Sequence, residues 1–115
     1  MRDPAERLRD ILEAIEKIEV YADQGKDSFE QDPLIQSWFI RHLQLIGEAA
    51  RTLPEDIRSL TPDIQWKDII GMRQILVHHY FGIDSSILWN VVEQDLPILK
   101  PQVEALLQIL LSKDN

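Results

Sequence analysis

Residues 73 to 80, Arg73-Gln74-Ile75-Leu76-Val77-His78-His79-Tyr80, gather a permanent cation, two imidazoles and a phenol within about two turns of helix. Such a set can hold an anion and move protons. At about 100° per residue, Trp66, Ile69, Ile70, Leu76, Val77 and Tyr80 fall within about 60° of Arg73, so the arginine interrupts an apolar stripe. Removing an unpaired guanidinium from water costs several kcal/mol. Arg73 therefore requires a cleft, a partner chain, a bound anion, or a carboxylate such as Glu48 within the fold. Seven residues bring Tyr80 back to within about 20° of Arg73, whereas His78 lies about 140° away. One regular helix does not present Arg73 and His78 side by side. Two copies meeting across a two-fold axis do, which favours a composite site.

Each of these residues also has an ordinary structural reading. A single histidine in a helix is most often a satisfied structural side chain, and a tyrosine near a helix end is most often a core ring with its hydroxyl at the surface. Metal binding by the neighbours His78 and His79 is disfavoured, because adjacent side chains diverge by about 100° instead of pairing at i,i+4. His42, alone on an apolar face of another helix, reads as structural. There is no G-x-S-x-G, Gly-rich phosphate loop or H-E-x-x-H motif, and the tryptophans follow core periodicity instead of forming a base-stacking platform.

The elements that must position this segment all read as helix. Asp3-Pro4-Ala5-Glu6 is a start signal, followed by Leu8, Ile11, Leu12, Ile15, Ile18 and Ala22 on one face and a stop at Gly25. Asp32-Pro33 starts a second helix with Ile35, Trp38, Phe39, His42, Leu45, Ile46 and Ala49 inward, ending before Pro54. Gly47 lies inside it, where glycine costs about 1 kcal/mol relative to alanine, so close approach of another helix is expected there. A short helical turn and loop follow between Pro54 and Pro62. The third helix spans about 65 to 80, closed by Gly82. Asp84-Ser85-Ser86 caps a fourth with Ile87, Leu88, Val91 and Val92 inward, and Asp95-Leu96-Pro97 is expected to break and restart it. Val103, Leu106, Leu107, Leu110 and Leu111 form the last stripe. The pattern predicts one all-α domain over 1–115, an antiparallel up-and-down bundle of four to five helices. The third helix is apolar on its second side too, at Gly71, Ile75 and His78. A second copy is the simplest cover, so a homodimer through this helix is expected.

Composition narrows the functional classes. Net charge is −8, but residues 1–40 hold 5 basic and 10 acidic groups, while 41–80 hold 5 of each and all three histidines. The acidity therefore lies mainly outside the motif segment, and a local basic cleft is compatible with it. No apolar run approaches the ~20 residues that span a bilayer. Cysteine is missing, which excludes disulfides and thiolate metal sites. With no secretory signal visible in the charged start, a cytoplasmic location is the expectation.

Arg73-x4-His78-x-Tyr80 matches the R-x4-H-x-Y signature of the HepT-like toxins of the HEPN superfamily. Ile46-Gly47-Glu48-Ala49, Pro62-Asp63-Ile64-Gln65-Trp66, Ile69-Ile70-Gly71-Met72-Arg73 and Leu96-Pro97 resemble the family's text at matching spacing over nearly the whole chain. The resemblance implies a dimeric, metal-independent endoribonuclease acting on RNA and not DNA. His78 would serve as general base or acid and Arg73 would bind the scissile phosphate. It implies as partner a minimal nucleotidyltransferase antitoxin that transfers AMP to Tyr80. ATP and Mg would serve that partner alone, and RNA cleavage itself would need no cofactor. Gln74 stands where the family commonly has asparagine, and His79 adds a second imidazole beside His78. Glu48 is a candidate for orienting or neutralising Arg73. The competing reading is a non-catalytic helical module that binds RNA or nucleotide and complexes with a nucleotidyltransferase.

Overall fold

The computed structural model describes residues 3–78 and 84–113, the side chains of Val77, His78 and Lys113 excepted. Among the described residues every regular element is helical. Helix α1 (Pro4–Ala22) begins as its sequence dictates, with the Asp3 carboxylate accepting the Ala5 N–H at 2.9 Å and Pro4 in the first turn. Its Leu8, Ile11, Ile15 and Ile18 are fully buried. Gly25, at φ +96°, turns the chain into α2 (Lys26–Gln31), a six-residue helix that periodicity did not reveal. Only Phe29 of α2 is buried, and it stacks on Phe39 at 5.2 Å and packs on Trp89 at 5.4 Å. One apolar residue in six is too few to define a period.

Asp32 caps α3 (Pro33–Thr52) by accepting the Leu34 N–H at 2.9 Å, and the helix ends at the extended Leu53 before Pro54. A single turn, α4 (Glu55–Arg58), leads to α5 (Trp66–His78). Asp84 caps α6 (Ser85–Asn90), accepting from the Ser86 N–H and hydroxyl at 2.8 and 2.7 Å. The expected break at Asp95-Leu96-Pro97 is overturned: a π-helical turn over Val91–Asp95 joins α6 directly to α7 (Leu96–Lys113). Pro97 has no N–H, and its ring would crowd the carbonyl four residues back. The wider turn, with Leu96 N–H donating to Val91 O, admits it without interruption.

Registered contacts give the packing order. Trp38 Nε1 donates to the Lys17 carbonyl at 2.9 Å, while Glu48 and Arg7 lie close enough at the other end for their charges to interact, so α1 and α3 run antiparallel. Gln44 reaches the Leu76 carbonyl and Gly47 meets Arg73 and Ile69, so α3 and α5 are antiparallel as well. Lys100 pairs with Glu19 at 2.8 Å, setting the start of α7 beside the end of α1. One continuous core joins α1, α3, the α6–α7 stretch and Leu76 of α5. Leu45 and Ile87, expected inside, are 43% and 62% exposed. Each lies at the margin of its helix's apolar stripe, where a few tens of degrees decide burial.

Candidate functional site

Gly47 determines how close α5 comes to α3. A Cβ built on it would lie 2.5 Å from Arg73 Cβ, 3.2 Å from Arg73 Cγ and 3.3 Å from the Ile69 carbonyl oxygen, so only glycine permits this crossing. The expected close approach is found, and the neighbour it admits is the motif arginine. The next residue, Glu48, then meets Arg73 across the helices, with Arg73 Nε 2.8 Å from Glu48 Oε2. One turn on, Arg51 donates to the same carboxylate, Nη2 to Oε1 at 2.7 Å and Nε to Oε2 at 3.4 Å. Gln44, one turn before Glu48, donates to the Leu76 carbonyl at 3.4 Å and ties down the later part of α5.

The electrostatics follow from this arrangement. The Glu48 carboxyl is held below its ordinary range, first by the hydrogen bond from Arg51, then by the charges of Arg51, Arg73 and Arg7, with burial opposing. Three guanidinium charges thus act on one carboxylate in a protein of net −8. Arg73 is 26% exposed and Glu48 38%, so neither is sealed in the interior. The Arg73–Glu48 contact runs through Nε. The two Nη groups carry four further donors suited to a planar oxyanion.

Of the residues singled out by sequence, Arg73 and Glu48 are brought together. Gln74 is exposed on α5, and Ile75 beside it is 56% exposed. His78 closes α5 by its backbone, while His79 and Tyr80 lie outside the described residues. Two members of the cluster were missed. Arg51 had a local signal, its i,i+3 spacing from Glu48. Arg7 had none, since only tertiary packing of α1 on α3 brings it near. His42 is buried, with Nδ1 2.7 Å from the Trp38 carbonyl oxygen and its ring 4.3 Å from the Trp38 ring. Among the described residues no group of three or more His, Asp or Glu is arranged to hold a metal ion, and no helix is long and apolar enough to cross a membrane.

Comparison with known proteins identifies relatives over nearly the whole chain. A Methanocaldococcus jannaschii protein named “Putative RNase” is 42% identical over 104 residues, covering 90% of this chain and 95% of that protein. A Thermococcus cleftensis protein named “Probable ribonuclease HepT” is 41% identical over 106 residues, covering 91% and 96%. A Caldanaerobacter subterraneus protein named “Putative RNase” is 37% identical over 109 residues, covering 94% and 97%. No solved structure matches the chain at a significant level. The family model described as Ribonuclease HepT-like matches residues 11–106, a span that holds Gly47, Glu48, Arg51, Arg73 and His78, and the chain belongs to that family.

Proposed function

We propose that the protein is a metal-independent endoribonuclease, the toxin of a toxin–antitoxin pair, with an active cleft shared between two copies. The observation that carries this reading is the arginine cluster. Arg73 is held by Glu48 through Nε and remains 26% exposed, with Arg51 and Arg7 acting on the same carboxylate. In the reaction, His78 takes the proton from an RNA 2′-hydroxyl, the 2′-oxygen attacks the adjacent phosphorus, and the 5′-oxygen leaves with a proton. The products are a 2′,3′-cyclic phosphate and a free 5′-hydroxyl. Arg73 neutralises charge growing on the phosphate, a contribution of about 10²–10³-fold in rate for one well-placed donor. The imidazole contributes about 10²–10⁴-fold. The nucleophile belongs to the substrate, so the reaction needs no metal-activated water.

The exposed Ile75 and the open space around Gly71 support dimerisation through α5, because among the described residues nothing covers this side of the helix. Neutralisation follows the same electrostatics. AMP transferred to Tyr80 by a nucleotidyltransferase partner would bring a phosphate to the anion site of Arg73 and exclude RNA.

The decisive assay is RNA cleavage in EDTA by wild type, Arg73→Ala and His78→Ala. Cleavage by wild type alone, leaving cyclic phosphate ends, is the expected result. The Arg73–Glu48 ion pair is also what a non-catalytic RNA-binding module would keep for stability. If wild type and His78→Ala both bind RNA and neither cuts any, that second reading replaces the first.

A further inference from the structure

Glu48 has a second neighbourhood. On the side of α3 that faces α1, it closes one end of a groove of about 290 Å³ whose lining includes Arg7, Asp10, Glu13, Lys17, His42 and Leu45. His42 is the informative member. It is 4% exposed and wedged against Trp38, and its Nδ1 faces the Trp38 carbonyl oxygen at 2.7 Å. A carbonyl only accepts, so Nδ1 carries the proton, and in the neutral ring Nε2 is left with its lone pair. With Nδ1 turned back onto its own helix, the edge that His42 offers to the groove is the Nε2 edge. In its neutral form the imidazole, oriented by its own helix, offers an acceptor at the groove wall.

We infer that this α1–α3 groove is a nucleobase subsite, in which His42 reads the base next to the phosphate held at Arg73. The inference rests on the ribonuclease reading only for the identity of the polymer. Six residues of helix separate His42 from Glu48, about 9 Å along α3, so the groove runs along α3 from the arginine cluster, with Arg7 common to both. The charges of the groove are paired within its own wall, Lys17 lying 3.0 Å from Glu13, so a phosphate is better held at the arginine cluster and the uncharged base is left to enter the groove. A cavity of this size is at the lower end for small-molecule sites, fitting a ring system better than a whole nucleotide. Leu45, 43% exposed, supplies an apolar wall for a flat ring.

The acceptor character of Nε2 sets the preference. Adenine, cytosine and guanine offer exocyclic amine donors. Uracil offers only N3–H, recessed between two carbonyl oxygens. One neutral hydrogen bond of this kind discriminates by about 3- to 10-fold.

The test has two arms. In the first, protein labelled with ¹⁵N in its imidazoles is titrated with each of the four nucleoside 5′-monophosphates. The His42 Nε2 resonance should move with AMP, CMP or GMP more than with UMP, and the response should vanish in Leu45→Trp, which fills the groove from a solvent-facing position. In the second, ends generated from a randomised RNA pool are sequenced for wild type, His42→Gln and Leu45→Trp. The bias against uracil beside the cut should fall by about 3- to 10-fold in both variants. If His42→Gln fails to fold, Leu45→Trp decides alone. Cleavage with an unchanged base bias, or a nucleotide response that survives Leu45→Trp, overturns the subsite and leaves the nuclease reading standing. A Leu45-dependent nucleotide response in a protein that cuts no RNA keeps the subsite and removes the nuclease.

Discussion

Two glycines inside helices make opposite predictions for the same chemical change. Gly47 and Gly71 both lie in α-helix, and neither has a positive φ, so alanine is conformationally allowed at both. In a helix interior the substitution is worth about 1 kcal/mol in favour of alanine. At Gly47 the new methyl would sit 2.5 Å from Arg73 Cβ and 3.3 Å from the Ile69 carbonyl oxygen, atoms rooted in the α5 backbone that no rotamer change can move. Forcing α3 and α5 apart is an overpacking defect of about 1–3 kcal/mol. The difference for Gly47→Ala is a destabilisation of about 0–2 kcal/mol, or a drop in Tm of up to about 10 °C. At Gly71 nothing lies within 4 Å of the new atom, so Gly71→Ala should gain up to about 1 kcal/mol. Denaturant unfolding at low protein concentration, paired with sedimentation, separates chain stability from association. If Gly71 faces a second copy, its alanine variant will be a more stable chain and a weaker dimer. Equal stability of the two variants would refute the assigned role of Gly47.

Three further outcomes are expected. Arg73→Ala should lower RNA cleavage by about 10²–10³-fold with the fold retained, and Arg73→Lys should recover little, because an ammonium cannot meet Glu48 and a phosphate through separate edges; steady-state cleavage with circular dichroism checks both. Glu48 titrates below its ordinary value in the folded state, first through Arg51. The stability it provides is therefore complete above that ordinary value and is lost as pH falls through the lowered one, so Glu48→Gln should flatten the acid limb of a stability–pH profile. Incubation with a nucleotidyltransferase partner and ATP should add about 329 Da per AMP to the peptide holding Tyr80, read by mass spectrometry; an unmodified peptide on a fully inhibited protein would assign inhibition to contact alone.

The helices were legible because their start signals are local. Asp3-Pro4, Asp32-Pro33 and Asp84-Ser85 each satisfy backbone donors two residues ahead, and all three cap the helices they precede. What could not be read depends on distance across the fold. The α2 helix is held by Phe29 reaching Phe39 and Trp89, contacts with no local period. The π turn before α7 follows from where Pro97 must fit against a helix already committed to the core. The site divides in the same way. Gly47, Arg73 and Glu48 were found as a costly glycine, a cation in an apolar stripe and a nearby carboxylate, whereas Arg7 joins them only through the antiparallel pairing of α1 with α3.

The Arg73–Glu48 pair bears on how an arginine proposed to grip phosphate can be kept ready without being used up. A guanidinium paired at both edges would have to break hydrogen bonds before gripping a phosphate. One left wholly unpaired on an apolar stripe would face several kcal/mol of desolvation. A single contact through Nε, to a carboxylate whose other oxygen is engaged by Arg51, avoids both extremes. Arg51 draws charge from Glu48 and so weakens its hold on Arg73, while the residual attraction fixes the rotamer. Gly47 makes the device geometrically possible, since any side chain there would part the helices that bring the carboxylate and the arginine together. The glycine and the glutamate that follow each other on α3 therefore act as one unit: the first sets the distance, the second the direction, and both act on the arginine of the facing helix.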